Sequence, residues 1–418
     1  MPTPDPGAVP DGTGRGDLAG LRVLAISSLY PPHHLGGYEL LHREVDEELR
    51  ARGIDLRVLA TDHEEPDARH RGSVEPPDVH RELRSYWRDH AFPRMTPGAV
   101  LALERHNHRV LHRHLEEHRP DVVAFWAMGG MSLSLLGAVR TAGLPAVHVV
   151  HDRWPVFGPQ FDRFARGIRP LGPARGALAR RLGSDRPRRP EGTVLVTAAA
   201  LADELRRVRA VPADARVVPV GVDVPDELPP APLWRGRLLG LGRLDPRSGA
   251  DRVIAAAAVL GPAFRMTLAG EAEPAVARAL RERADESGVG PRLTLSGRVD
   301  PAALRDLLEG HDVAIFPSTL PGGTGLAVLH AMAHGVPVIA ADVDGYPAAL
   351  RDGRDALLVP PGDTDALAAT VRRLQTDPEL RSRLRDGGRA TALLHDAGRF
   401  RRDVADAIVD AAHRRAGG

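Results

Sequence analysis

Phe316–Gly335, FPSTLPGGTGLAVLHAMAHG, carries the pattern that decides how this 418-residue chain is read. A short apolar run ends at Pro317, a loop brings Gly322, Gly323 and Gly325, and a helical pattern starts at Leu326. Glycines let a backbone approach a ligand closely. The first-turn amides of a helix lack intrahelical partners, and with the helix dipole they make an anion site suited to a diphosphate. The cradle is therefore placed over Pro321–Gly325, with Thr324 inside it. Spacing alone fits an unliganded glycine-rich turn equally well.

The same alternation of short apolar runs and amphipathic stretches extends in both directions, as parallel sheets with crossover helices require. In the first half it predicts strands at Leu21–Ser27, Asp55–Ala60, Val122–Trp126, Ala146–Val150, Val194–Thr197 and Arg216–Val220. In the second half it predicts Arg237–Leu241, Arg265–Ala269, Leu293–Ser296, Val313–Pro317, Pro337–Ala341 and Ala356–Val359. Between the halves, VDVPDELPPAP over 222–232 is proline-rich and aperiodic, as a linker is. The expectation is an α/β protein of two Rossmann-like, doubly wound domains facing across a cleft. Its divisions are a disordered tail over 1–19, a first domain over 20–221, the linker, a second domain over 233–395 and a helix over 396–418. That last helix has the option of returning to the first domain. Gly158–Gly192 fits neither pattern and reads as a long loop, a candidate lid on the acceptor side.

Composition excludes several classes of function. Basic and acidic residues number 56 and 55, so no whole-chain field attracts nucleic acid or anionic lipid. Cysteine is absent, which removes disulfides, thiol nucleophiles and cysteine metal ligands. Lysine is absent too, so every phosphate contact from a basic side chain must come from arginine. Residues 1–19 have no apolar run and no segment reaches the roughly 18 apolar residues of a membrane helix, which gives the expectation of a cytoplasmic protein.

Order and spacing over roughly 350 residues resemble the family 4 retaining glycosyltransferases, which have the GT-B fold. Gly242-Arg243-Leu244 resembles the turn that opens the family's second domain. Leu268-Ala269-Gly270 and Ser296-Gly297-Arg298 resemble its nucleotide-side turns, and Ala331–Val338 resembles its EAMACGVPV stretch. Leu35-Gly36-Gly37-Tyr38-Glu39 resembles the glycine-rich loop after the first strand, and Val217–Asp223 the run before the linker. The resemblance implies that Gly36, Gly37, Arg243, Gly322, Gly323, Thr324, Gly325 and His330 surround a nucleotide-sugar donor. Gly270, Gly297 and Arg298 would lie on its nucleotide side.

Four positions depart from the family, one of them Val220 in place of an asparagine before the linker and three on the donor side. Two glutamates are replaced by Gly322 and His330, and the lysine after the second-domain turn is Ser248. A carboxylate accepts from both hydroxyls of a ribose, whereas a neutral imidazole accepts once. Nucleotide recognition is therefore expected to be weaker, altered or moved, with Arg243 the retained basic residue for the diphosphate.

His151 directly follows the predicted strand Ala146–Val150, at a carboxyl strand end where cleft residues gather. The resemblance makes it the histidine that touches the donor sugar and steadies charge near the anomeric carbon. A lone histidine in a strand end also fits a hydrogen-bonded structural role. Asp152 reads either as an acceptor contact or as a helix N-cap. Glu39 reads as an acceptor contact or as a partner of a helix dipole. Gly36 and Gly37 fit a loop over donor phosphates or a plain turn. His33, His34 and His151 are not read as a metal site, because 19 histidines make chance proximity common. The arginine run from Arg175 to Arg189 reads as a solvated loop, and Arg105–His118 as an exposed helix.

The function expected is transfer of a sugar, with retention, from a nucleotide diphosphate sugar to a hydroxyl or amine acceptor, with neither cofactor nor metal. The alternative is a non-catalytic homologue acting as a partner or scaffold, motivated by the missing glutamates and lysine. Sugar, base, acceptor and oligomeric state are not legible.

Overall fold

The computed structural model describes residues 20–64, 75–87, 92–162, 164, 189–318, 325–343, 346 and 350–416. The tail over 1–19, the arginines from Arg175 to Arg188, and Gly322, Gly323 and Thr324 lie outside the described residues.

Strands buried on both faces must be near-continuously apolar. β1 (Arg22–Ile26) and β4 (Val122–Phe125) meet that rule, with Val23–Ile26 and the whole of β4 buried. They join β2 (Asp55–Thr61), β3 (Val79–Leu83), β5 (Ala146–Val150), β6 (Thr193–Val196) and β7 (Arg216–Val217) in a seven-stranded sheet of order β3-β2-β1-β4-β5-β6-β7. A second, six-stranded sheet has the order β10-β9-β8-β11-β12-β13. It comprises β8 (Arg237–Leu241), β9 (Arg265–Ala269), β10 (Leu293–Gly297), β11 (Val313–Phe316), β12 (Val338–Ala341) and β13 (Leu357–Val359). Every pairing in both sheets is parallel. The strand order reverses beside β1 and again beside β8, and the crevice at such a reversal is where ligands bind.

Helices α1 (Gly37–Ala51), α2 (Pro97–His118), α3 (Ser134–Thr141), α4 (Trp154–Phe161) and α5 (Ala199–Arg207) belong to the first sheet. The second sheet is flanked by α6 (Ala250–Leu260), α7 (Pro274–Glu286), α8 (Pro301–Glu309), α9 (Leu326–Ala333), α10 (Thr364–Thr376) and α11 (Pro378–Leu393). The last helix, α12 (Ala397–Ala416), crosses back and packs on α1, β4, β5 and β6. Phe400, Val404 and Ile408 on it are at most 1% exposed, each worth about 1.5–3 kcal/mol of burial.

Two elements escape the pattern reading. β3, VHREL, has no apolar alternation and exists because it extends the sheet edge along β2. α4, WPVFGPQF, hides behind Pro155, Gly158 and Pro159, residues that normally interrupt a helix. Gly158–Phe161 is accordingly helix and not the start of a loop. The exposed reading of Arg105–His118 is also corrected. On α2, Glu104, Asn107, His108, His114 and His118 are buried, each with a polar partner, among them Asn107 Nδ2 to Arg84 O (2.8 Å) and His118 Nε2 to Val23 O (3.0 Å).

The linker is held rather than loose. Arg389 donates to Asp226 O (2.8 Å) and Arg385 to Pro229 O, both from α11. Where the chain leaves the first sheet it lies against the turn leading into α12, with Val222 N–H on His395 O (2.9 Å) in an isolated parallel bridge. A Cβ on Gly221 would lie 2.3 Å from the Asp396 carbonyl carbon, a backbone atom with nowhere to go. Gly221→Ala is therefore expected to cost about 1–3 kcal/mol, read as a lower urea midpoint. A midpoint equal to wild type would show that this contact is not tight.

Candidate functional site

The carboxyl ends of the two sheets face each other across a cavity of about 670 Å³. From the second domain it receives the ends of β8 and β11 and the first turn of α9. From the first it receives the loop at Leu35–Gly37 and the turn after β5. A second cavity of about 600 Å³ shares Gly36, Gly37, Arg243 and Leu326 with it and runs along the linker at Asp223–Pro225, the hinge side of the cleft, where His330, His334, Leu304 and Arg298 line it.

Gly325 is the N-cap of α9, in a left-handed conformation (φ 58°). Val328 N–H and Leu329 N–H bond back to Gly325 O, at 2.8 and 3.2 Å, while Leu326 and Ala327, ahead of them, line the cavity. First-turn amides at those positions have no helical acceptor to reach. Arg243, exposed and also lining the cavity, brings the positive charge. Ser248 also lines the cavity, but its hydroxyl is engaged in donating to Asp245 O (2.8 Å) and it carries no charge, so it supplies no substitute for a cation there.

The turns of the second domain lie side by side at the sheet edge. Gly242 N–H bonds Ala269 O (2.9 Å) and Gly270 N–H bonds Gly297 O (2.8 Å). Gly270 lines the hinge-side cavity; Gly297 sits one strand further out and acts through its carbonyl. Arg298 reaches across the cleft, pairing with Glu271 in its own domain and donating to His34 O in the other. Gly37 has a reason beyond turn geometry: a Cβ there would meet Leu326 Cδ2 at 2.6 Å, so α9 closes directly onto it.

His330 is pushed down to about 4, chiefly by burial and then by His334, so it is neutral near pH 7. His151 is 4% exposed and pushed down to about 3 by burial alone. Its ring is sandwiched between Tyr38 (centroids 5.0 Å, 9° between planes) and Trp126 (5.5 Å, 21°), and both ring nitrogens lack a hydrogen-bond partner. Tyr38 lines the cavity in front of it. The stack goes on behind Trp126 with His42 at 4.2 Å, which lies 3.3 Å from the buried Asp46 carboxyl. Sequence reasoning passed over Tyr38, Trp126 and His42. Their only signal is that Tyr38 adjoins the glycine pair and Trp126 ends a predicted strand.

Glu39 caps α1, its Oε2 accepting from Gly36 N–H (3.1 Å), and burial raises it to about 7. Asp152 Oδ1 accepts from Trp154 N–H (2.8 Å) at the start of α4, and burial raises it to about 6. Both line the cavity, so each is at once a cap and a cleft residue. His80, Glu82 and His114 also gather within metal-binding distance, on the far edge at β3. Arg57 and Arg113 already hydrogen-bond into that group, supplying its positive charge.

Residues 35–225 match the family described as Glycosyltransferase Family 4, and residues 235–377 match Glycosyl transferases group 1. The chain belongs to the family 4 glycosyltransferases. One family 4 relative is the D-inositol 3-phosphate glycosyltransferase of Streptomyces avermitilis, 30% identical over 308 residues, or 66% of this chain and 62% of that one. Another is the phosphatidyl-myo-inositol mannosyltransferase of Mycobacterium leprae, 30% identical over 47% of this chain and 54% of the relative. Across eight such relatives the chain spans between 18% and 62% of their length. Among solved structures, sucrose-phosphate synthase from Thermosynechococcus elongatus superposes with a TM-score of 0.69 at 21% identity, covering 92% of this chain and 98% of that one. Anabaena HepE, solved with UDP, gives 0.66 at 18%, covering 93% and 100%. These likenesses establish the GT-B fold. Among the described residues no helix is long and apolar enough to cross a membrane.

Proposed function

We propose that this chain transfers a glycosyl group, with retention at the anomeric carbon, from a nucleoside diphosphate sugar to a hydroxyl or amine acceptor. The observation that carries the reading is the second-domain wall: Arg243 and the open first turn of α9 lie on one cavity, facing the glycine loop of the first domain. Developing negative charge on a leaving diphosphate is what that wall is arranged to hold. Attack from the leaving-group face lets the departing phosphate oxygen take the acceptor proton as the bond from anomeric carbon to phosphate oxygen breaks. No protein nucleophile is then needed, and positioning is the main task of the cleft. The named relatives support glycosyl transfer, and HepE's complex with UDP supports the donor class. Positive charge from arginine and helix amides supports a reaction without metal or cofactor, and the donor class supports a cytoplasmic location.

His330, neutral and on the linker-side cavity, replaces the glutamate that the family resemblance assigns to the ribose hydroxyls. The reading therefore expects loose nucleotide binding, compensated by the sugar and diphosphate contacts. No observation favours the non-catalytic alternative. The test is to supply donors with different bases and sugars and measure nucleoside diphosphate release together with the product's anomeric configuration. Retention is expected; an inverted product would overturn the same-face mechanism, and no release beyond spontaneous hydrolysis would overturn the reading.

A further inference from the structure

Two dipeptides converge on the first-domain side of the cleft. Tyr38-Glu39 opens α1, and His151-Asp152 closes β5. Their rings stack at 5.0 Å, and that stack sets the two adjoining carboxyl groups on one wall, where Tyr38, Glu39 and Asp152 all line the interdomain cavity. Behind the cavity-lining Tyr38, His151 has two buried ring nitrogens without a hydrogen-bond partner.

Both carboxyls accept from backbone N–H groups, Glu39 from Gly36 and from its own amide and Asp152 through Oδ1 from Trp154. Neither has an ion-pair partner among the described residues. The arginines beside them are committed elsewhere. Arg153 pairs with Glu204 (2.5 Å), and Arg298 pairs with Glu271. Carboxyl charge withdrawn from water is costly: Arg298 eases that cost at Glu39 only in part, Asp152 adds to it there, and burial is what resists ionisation at Asp152. A ligand that carries its own positive charge removes that cost. A neutral polyol does not.

The opposite wall is complementary. Arg243, Arg247, Asp245 and the first turn of α9 face the cavity from the second domain, and with Arg247 paired to Asp245 and Arg153 paired to Glu204 the unpaired charge is basic on that side and acidic on the other. A nucleoside diphosphate belongs on the basic side, which leaves the acidic side for the second substrate.

We propose that Glu39 and Asp152 form the acceptor subsite, and that it selects an acceptor carrying an ammonium group. The proposal rests on the glycosyl-transfer reading for the identity of the second substrate, but the charge preference is measurable by itself. The probes are D-glucosamine and D-glucose, which differ at the 2-position amine. Each is titrated calorimetrically into the full chain at pH 7.0, with and without saturating UDP. Glucosamine is expected to bind at least tenfold more tightly. Asp152→Asn and Glu39→Gln keep an oxygen for the backbone N–H while removing the charge. Each is expected to bring the two sugars within twofold of one another, with UDP affinity changed less than twofold. If Glu39→Gln weakens the cap enough to unfold the chain, Asp152→Asn decides alone. Equal affinity for the two sugars, no binding of either, or a preference that survives Asp152→Asn overturns the proposal. Loss of UDP binding with the amine preference intact would instead count against the glycosyl-transfer reading.

Discussion

Arg243→Ala is expected to raise the dissociation constant for a nucleoside diphosphate by about 10- to 100-fold, the range given by the roughly 1.5–3 kcal/mol of a charge-assisted hydrogen bond. The chain has no lysine to stand in, and Ser248 is tied to Asp245. Arg247 faces the same cavity but is paired with Asp245 at 3.2 Å, so its charge is already partly met. Arg243 is exposed, and its removal should leave the thermal midpoint unchanged. Isothermal titration of the variant alongside a melt separates the two effects. Unaltered affinity would mean that the helix amides hold the diphosphate without it.

The second large effect concerns His151, whose burial works against stability and whose ring backs Tyr38 on the cavity wall. Both ring nitrogens are buried without a partner, a cost of about 1–3 kcal/mol per unsatisfied polar group. His151→Leu keeps similar volume and removes those groups, so it is expected to raise stability while lowering turnover by about 100-fold, through the loss of the stack that positions Tyr38 on the cavity wall. The pH dependence has a definite sign. Folding lowers His151 from its ordinary value of 6.5 to about 3, so its contribution to stability is complete above pH 6.5. It is lost as pH falls from 6.5 toward 3, at about 1.4 kcal/mol per unit, and the variant should lose stability less steeply over that range. Urea titrations at pH 7.5 and 5 measure both claims. A less stable variant with the wild-type acid slope would assign His151 an internal partner.

Much of the fold was legible because parallel strands buried on both faces must be written as runs such as VVAF and VLV. β3 was not legible, since an edge strand is fixed by its neighbour and VHREL carries no pattern of its own. α4 was masked by its prolines, and the α2 histidines were misjudged because a polar residue buried by a specific partner looks exposed in a hydropathy pattern. At the site, Arg243, Gly325, His330, Glu39 and Asp152 were named from the sequence, and all five line the cleft cavities. The stack of Tyr38, His151, Trp126 and His42 was not, because it joins α1, β5 and the end of β4, three segments far apart in sequence. Side-chain contacts of that kind follow from the strand order, and no local motif announces them.

The central claim is that the wall formed by Arg243 and the α9 N-terminus receives the diphosphate of a sugar donor. Its most direct test is a calorimetric titration of the folded chain with UDP, GDP and ADP, repeated with Arg243→Ala. Saturable binding of at least one of them near one per chain, weakened at least tenfold in the variant, is the expected result. No heat of binding with any of the three at millimolar concentration, from protein with an intact melting transition, would contradict it.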